Sequence, residues 1–416
     1  MTSVRTAGTA RTAFGSSRSR RLSLLAALYV SQAIPLGFFI EGVPAIGRDL
    51  GLSLRDIGLI QALAAPFMFK FLWAPVVDGW GAKRWGHYRS WILPLQTLAV
   101  LAITAIAWLD PSRQLGLLLT LAGLFMLLAA TQDIASDGLA VRILGRSERG
   151  LGNGVQVSGF YLGQVIGGGM ILLVYSQFGW RAALLAMAGM LAVPLFNVAT
   201  FREPEAQDKA PGVDFRSLGR FFKRPGILPW VIVLLFFRSG DAMALTMAKP
   251  MLVDLGLSLG QIGLIVGVGN STAAVLGALA GGAAIERVGR KRSLVLFSAF
   301  QGLAVLAFAL PAVGYSSLPL IWAISATAAF AGGMATAALY TQMMDRASTR
   351  FGGTDFTLQQ SLAVVGPLVG ASVSGLVAQA LGYGPHFGIC AAISLGMALF
   401  VAVALRDLSE ESVAPE

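Results

Sequence analysis

Asp49-Leu-Gly-Leu-Ser-Leu-Arg-Asp-Ile-Gly-Leu-Ile60 returns as Asp254-Leu-Gly-Leu-Ser-Leu-Gly-Gln-Ile-Gly-Leu-Ile265, identical at ten of twelve positions. The offset is 205 residues, about half of a chain of 416. Each copy sits between two long apolar runs. One run further on, each is followed by an acidic residue and a basic cluster: Asp78 with Lys83, Arg84 and Arg89, then Glu286 with Arg287, Arg290, Lys291 and Arg292. Thr131-Gln132 and Thr341-Gln342 form a fainter echo. Two homologous halves inside one apolar chain are the ground plan of a secondary transporter, whose substrate site lies near the middle of the bilayer between the halves.

The apolar runs support that plan. Twelve of them, each about 20 residues long, are expected to cross roughly 30 Å of hydrocarbon as helices. They centre on 22–46, 57–77, 91–109, 115–141, 155–175 and 182–200 in the first half. In the second half they centre on 228–253, 262–285, 294–312, 318–344, 356–381 and 387–405. The fold expected is an all-α membrane protein of twelve transmembrane helices in two pseudo-symmetric six-helix bundles. Residues 1–21 form an N-terminal tail, 22–200 the first bundle, 201–227 a linker, 228–405 the second bundle and 406–416 a C-terminal tail.

Composition excludes most other classes. Hydrophobic residues make up 56% of the chain and charged ones 12%, against about 25% charge in an ordinary soluble domain. The net charge of +10 does not signal nucleic acid, because the cations sit in short clusters between apolar runs, which is a topology signal. With the N-terminus on the cytoplasmic side, 24 of the 31 Lys and Arg residues fall in cytoplasmic segments and four outside. A multi-pass protein with both termini in the cytoplasm is therefore expected. Ser19-Arg20-Arg21-Leu22 resembles a twin-arginine signal, but the apolar run continues to Ile46 and is needed as the first span.

One cysteine, Cys390, and two histidines, His87 and His386, leave no disulfide framework and few metal ligands; no metal, cofactor or catalytic residue is expected. Gly150-Leu-Gly152-Asn-Gly154 and Gly267-Val-Gly269 lack the strand and the Gly-Lys-Ser/Thr of a nucleotide loop. Small residues four apart instead suit close packing of membrane helices.

Charges inside spans cost about 2.5–3.5 kcal/mol each at the bilayer centre unless paired or wetted, so they mark candidate sites. Arg238 and Asp241 lie mid-span and share a helix face: either a structural ion pair or a substrate or proton site. Lys70 lies within span two. Asp133 and Asp137, one turn apart beside Gln132, suit a shared proton or an inner gate pairing with Arg142 or Arg146. Glu41 and Lys249, at the outer ends of spans one and seven, suit an outer latch. His87 is expected to be solvated in a loop.

Phe69-Lys70-Phe71-Leu72-Trp73-Ala74-Pro75-Val76-Val77-Asp78 resembles the Lys-Phe-Leu-Trp-x-Pro-x-x-Asp signature of the AmpG-like branch of the major facilitator superfamily. Gln132-Asp133-Ile134 with Asp137, Glu148-Arg149-Gly150, Arg238-Ser-Gly240-Asp241 and Thr354-Asp355-Phe356-Thr357-Leu358 with Ser361 extend the likeness over nearly all spans. The branch's Asp-Arg after span two is Asp78-Gly79 here, and Arg238 replaces a common Lys. Muropeptide permeases of this branch usually carry two further spans. The shorter form, with Pro35-Leu-Gly-Phe-Phe in span one, is more similar to bacterial siderophore permeases of the rhizobactin and pyochelin type.

The resemblance implies an inner-membrane importer that takes an iron-siderophore chelate, an anionic small molecule, through the lipid bilayer by proton-coupled alternating access. The alternative it implies is an anhydromuropeptide permease. On this reading Lys70, Arg238 and Lys249 attract the anion, and Trp73, Gln132 and Gln359 add apolar and polar contacts. Asp133, Asp137 and Asp241, with Glu41, are candidates for proton coupling or gating. Asp78 with Arg84 and Glu286 with Arg290 form an inner latch. A monomer is expected. A membrane-embedded enzyme would need a nucleophile–base set or clustered metal ligands, and neither Gly-x-Ser-x-Gly nor His-Glu-x-x-His occurs.

Overall fold

Apolar runs with no water to satisfy their backbone must close every hydrogen bond within the segment, which leaves the helix as the only open choice. The computed structural model describes residues 17–49, 62–82, 84–111, 113–204 and 212–405, and these are helical nearly throughout. Span one runs Arg18–Gly37, passes through a π-helical turn at Phe38–Gly42 and continues as Val43–Asp49. Spans three and four are Arg89–Ile106 and Leu115–Ile143. Span seven is Ile227–Phe236 joined to Ser239–Asp254. Spans nine to twelve are Arg290–Leu306, Leu318–Arg346, Gly352–Leu381 and Tyr383–Ala404. Apart from Asp49, the first copy of the repeat lies outside the described residues. The second copy enters span eight, where Leu259–Ile262 leads through a π-helical segment into Asn270–Val288.

Several spans depart from simple rods. Spans five and six run on almost without a loop, from Arg149–Val165 through Ile166–Met170 into Ile171–Thr200. The reversal falls at Gly179, whose φ of 77° and ψ of −179° belong to a region that glycine enters freely. Trp180 then anchors the return by donating its indole N–H to the Ile106 carbonyl at 3.1 Å. Span two is broken. Ala65–Phe69 ends in a 3₁₀ turn at Lys70–Leu72, and Ala74–Gly79 restarts with Pro75 in its first turn, where a missing N–H costs nothing.

The chain falls into two compact units that interleave along the sequence. The first holds residues 1–146, 166–217 and 347–357; the second holds 147–165, 218–346 and 358–416. The linker expected at 201–227 is thus shared between them, and it carries a short helix at Arg216–Phe221.

In the first unit, Phe38, Phe39, Ile103, Ile106, Phe125 and Met187 form an apolar core in the half of the spans away from the chain's starting side. The polar groups collect in the other half. There Asp78 is buried and accepts from Tyr88 Oη (2.8 Å) and from the backbone N–H groups of Gly353 (3.1 Å) and Thr354 (2.7 Å). It therefore caps the start of span eleven. Glu203 does the same for span three, accepting from the N–H groups of Tyr88 (3.3 Å) and Arg89 (3.0 Å) while paired with Arg142 at 2.7 Å.

His87 is buried rather than solvated. Its Nε2 sits 3.0 Å from the Val77 carbonyl, and its ring meets Tyr88 edge-on. Burial, reinforced by the Arg142 charge, pushes its pKa down to about 4. An unfolded histidine binds its proton near pH 6.5, so the folded state loses stability as pH falls from 6.5 towards 4, by roughly 2–3 kcal/mol. Thermal unfolding of the purified protein between pH 7 and 4.5 should show a falling midpoint that His87→Gln flattens.

In the second unit, Gly150 and Gly154 of span five lie backbone to backbone against Gly282 of span eight; a side chain on Gly150 would stand 2.6 Å from the Gly282 carbonyl. These glycines serve helix contact, not phosphate. Beside them Asp345 binds Arg149 (3.0 Å) and Arg290 (2.7 Å) with its carboxylate 3% exposed. Removing one partner of such a buried set costs about 3–5 kcal/mol. Asp345→Ala should lower the unfolding midpoint of the detergent-solubilised protein, and Asp345→Glu should recover part of the loss.

Candidate functional site

The first unit holds its charged centre where span two breaks. Lys70, 3% exposed, donates from Nζ to the Asp133 carboxylate of span four, and Asp137 Oδ2 lies 3.8 Å from the same nitrogen. Asp137 Oδ1 accepts from Tyr29 Oη of span one at 2.9 Å. One cation thus faces two carboxylates four residues apart, the separation that places them on one helix face. Around this group, Gln32 Nε2 donates to Ser136 Oγ at 3.0 Å and Trp73 Nε1 to Thr131 Oγ1 at 3.1 Å. Gln132 donates to Gln96, which donates in turn to the Leu191 carbonyl at 2.5 Å.

This geometry changes the reading of Lys70. In this structure its ammonium is paired with Asp133 and lies near Asp137 rather than standing as a bare cation. Gln132 is likewise tied to Gln96. Of the expected partners of the two aspartates as a gate, Arg142 is paired instead with Glu203.

The second unit has its centre at the helix break in span seven. Arg238 stands at the junction, with Asp241 in the first turn of the restarted helix. Arg238 Nη2 donates to Asp241 Oδ2 at 2.9 Å, with side-chain exposures of 27% and 3%. The guanidinium is therefore the one partly open member of the pair. Tyr161 and Tyr340 are near enough to act on it electrostatically. Gln359, by contrast, is fully buried and bound at both ends, accepting from Trp230 Nε1 (2.7 Å) and donating to the Met343 carbonyl (3.0 Å). It ties spans seven, ten and eleven together and is not open to a ligand here.

Glu41 and Lys249 are both exposed near the far ends of their spans. Of the expected inner latch, Asp78 is engaged at span eleven and Arg290 with Asp345, while Arg84 and Glu286 are exposed. Sequence reading passed over Asp345, Tyr29 and Glu203. Asp345 carried one usable signal, a carboxylate at the end of an apolar run on the side rich in arginine.

Two broken helices with buried, opposed charges in a chain of twelve spans are a carrier's architecture, and comparison with known proteins agrees. The family model described as Major Facilitator Superfamily matches residues 25–354 and 231–416. The chain belongs to the major facilitator superfamily. Within that superfamily it resembles the AmpG-like branch, being 29% identical over 385 residues to the anhydromuropeptide permease of Escherichia coli (strain K12), covering 90% of this chain and 78% of the relative. Among solved structures, the E. coli fucose:proton symporter FucP superposes with a TM-score of 0.70 at 15% identity, covering 94% of this chain and 100% of that one. The human organic anion transporter MFSD10 gives 0.67 at 15% identity over 93% of this chain. At such identities the two structures speak for the fold. The superfamily consists of carriers, so the chain is a multi-pass membrane transporter and not an enzyme.

Proposed function

We propose that this carrier imports an anhydromuropeptide-like solute, a sugar bearing a short peptide, across the bacterial inner membrane, using the proton gradient. The supporting observation is the 29% identity to a permease named for that substrate, sustained over 90% of the chain. The iron-chelate expectation rested on resemblance to shorter permeases, and none of the relatives described above is an iron-chelate carrier.

The chemistry of the site suits the reading. Such a solute brings hydroxyls, amides and carboxylates together. Arg238 offers a planar fork of donors that matches a carboxylate, and Trp73 offers an aromatic face for a sugar ring. Carrier pockets need few polar groups if each is well placed. Asp133, Asp137 and Asp241 are the groups that would exchange protons, Asp241 by yielding Arg238 to the substrate. Lys249 would add far-side attraction, and Glu41 with it an outer latch.

The bundles 22–200 and 228–405 would alternate access, with both termini cytoplasmic as the distribution of Lys and Arg requires, and the carrier working as a monomer. Opening the near side would then require releasing Asp78 from the start of span eleven and Asp345 from Arg149 and Arg290.

The test is uptake by liposomes holding the purified chain under an inward proton gradient. Labelled anhydromuropeptide should accumulate above its external level, and collapse of the gradient should abolish the excess. Accumulation of a labelled ferric siderophore instead, with none of the sugar peptide, would overturn the assignment.

A further inference from the structure

Gln301 in span nine is fully buried, and neither atom of its amide has a hydrogen-bond partner. Burying an amide unpaired is costly, so such a group calls for an explanation. The internal repeat sharpens the question. The offset of 205 residues that relates Asp49 to Asp254 also relates Gln96 to Gln301. Gln96 is used at both ends, by Gln132 and by the Leu191 carbonyl. The second copy keeps the same side chain in the same span and leaves its amide untied.

What faces that amide is a missing side chain. Gly332 of span ten lies opposite, and a methyl group built on it would stand 3.4 Å from Gln301 Nε2 and 3.9 and 4.0 Å from the two carboxylate oxygens of Asp241. The space kept by the glycine is therefore bordered by an amide and by both oxygens of the acid. The other groups around Asp241 are Arg238 on its own span and the Cys390 thiol of span twelve, which is within electrostatic reach.

We propose that this space seats a single water molecule and is the proton port of Asp241, an inference that rests on the proton-coupled reading above. A hydronium formed there passes one proton to a carboxylate oxygen and is left as water; the reverse step releases the proton. Gln301 serves both states, because an amide donates to a carboxylate through its nitrogen and, turned over, accepts from the acid through its oxygen. Gly332 matters because a methyl group there crowds out the water and brings no hydroxyl to take its place.

The test uses the full chain. A pH jump on the purified carrier, followed with a pH dye and no sugar peptide present, reads proton exchange; a phase absent from Asp241→Asn is assigned to Asp241. Gly332→Ala places its methyl at ordinary contact distances, so the fold accepts it, yet it fills the space. That phase should slow at least tenfold in Gly332→Ala and in Gln301→Leu, with unfolding midpoints near wild type. Gly332→Ser is bulkier but returns a hydroxyl, and should stay within about threefold of wild type. Full-speed exchange in Gly332→Ala, or equal slowing by serine and alanine, would overturn the proposal. In liposomes, a wild type without gradient-driven uptake would remove the coupling reading itself, whereas a normal wild type beside an unaffected Gly332→Ala would remove only the proton port.

Discussion

Lys70→Met should abolish transport, with uptake at least a hundredfold below wild type, and should also reduce the amount of folded carrier. The lysine is the cation facing Asp133 and Asp137 in a setting where its own side chain is 4% exposed and that of Asp137 is 0%. Methionine fills the same volume but leaves two carboxylates in a buried site. Breaking a buried ion pair from one side costs about 3–5 kcal/mol, because the remaining charge is stranded. That is a large share of the 5–15 kcal/mol typical of a folded protein. The check has two arms. Size-exclusion chromatography of solubilised protein should show less monodisperse material for Lys70→Met, and the triple variant Lys70→Met, Asp133→Asn, Asp137→Asn should restore it, since every charge is then gone. Uptake should stay at background in both. A triple variant that transported normally would reduce the whole group to packing.

This group also shows what a sequence can and cannot reveal. Depth along a helix follows from counting residues, so Lys70, Asp133 and Asp137 could each be placed inside the membrane by arithmetic. Their meeting could not. It depends on the 3₁₀ turn at Lys70–Leu72, which rotates the lysine towards span four, and nothing in Phe-Lys-Phe-Leu-Trp-Ala-Pro announces a turn of that hand beyond the proline that follows it. The twelve spans were legible because apolar length has a single structural solution in lipid. The repeat was legible because identity needs no geometry. Pairing of arginines with carboxylates was not. The basic clusters set an expected sidedness as a pattern, but they could not reveal that Arg290 pairs with Asp345, because helix ends from different spans choose partners by position in space. Gln359 is a similar case: a polar residue in an apolar span has equal claim to bind substrate or to tie helices, and its contacts to Trp230 and Met343 could not be read from the sequence.

Arg238→Ala should lose uptake by about tenfold to a hundredfold while the protein reaches the membrane at its normal level. The separation of the two effects is the point. Lys70 faces two carboxylates, Asp133 and Asp137, whereas Arg238 faces one, Asp241, so its loss strands fewer charges. What the alanine variant lacks is the forked donor that an anionic group of the substrate would take from Asp241. A carboxylate–guanidinium contact contributes about 1.5–3 kcal/mol net, and each 1.36 kcal/mol is a factor of ten in rate. Arg238→Lys keeps the charge without the fork and should fall between wild type and alanine. Asp241→Asn provides the opposing check. It leaves the guanidinium free for substrate but removes the proton acceptor, so exchange of labelled for unlabelled substrate at equal pH should persist while accumulation against the gradient disappears. If Arg238→Ala transports at the wild-type rate, the pair is an internal strut of span seven and the substrate is held elsewhere.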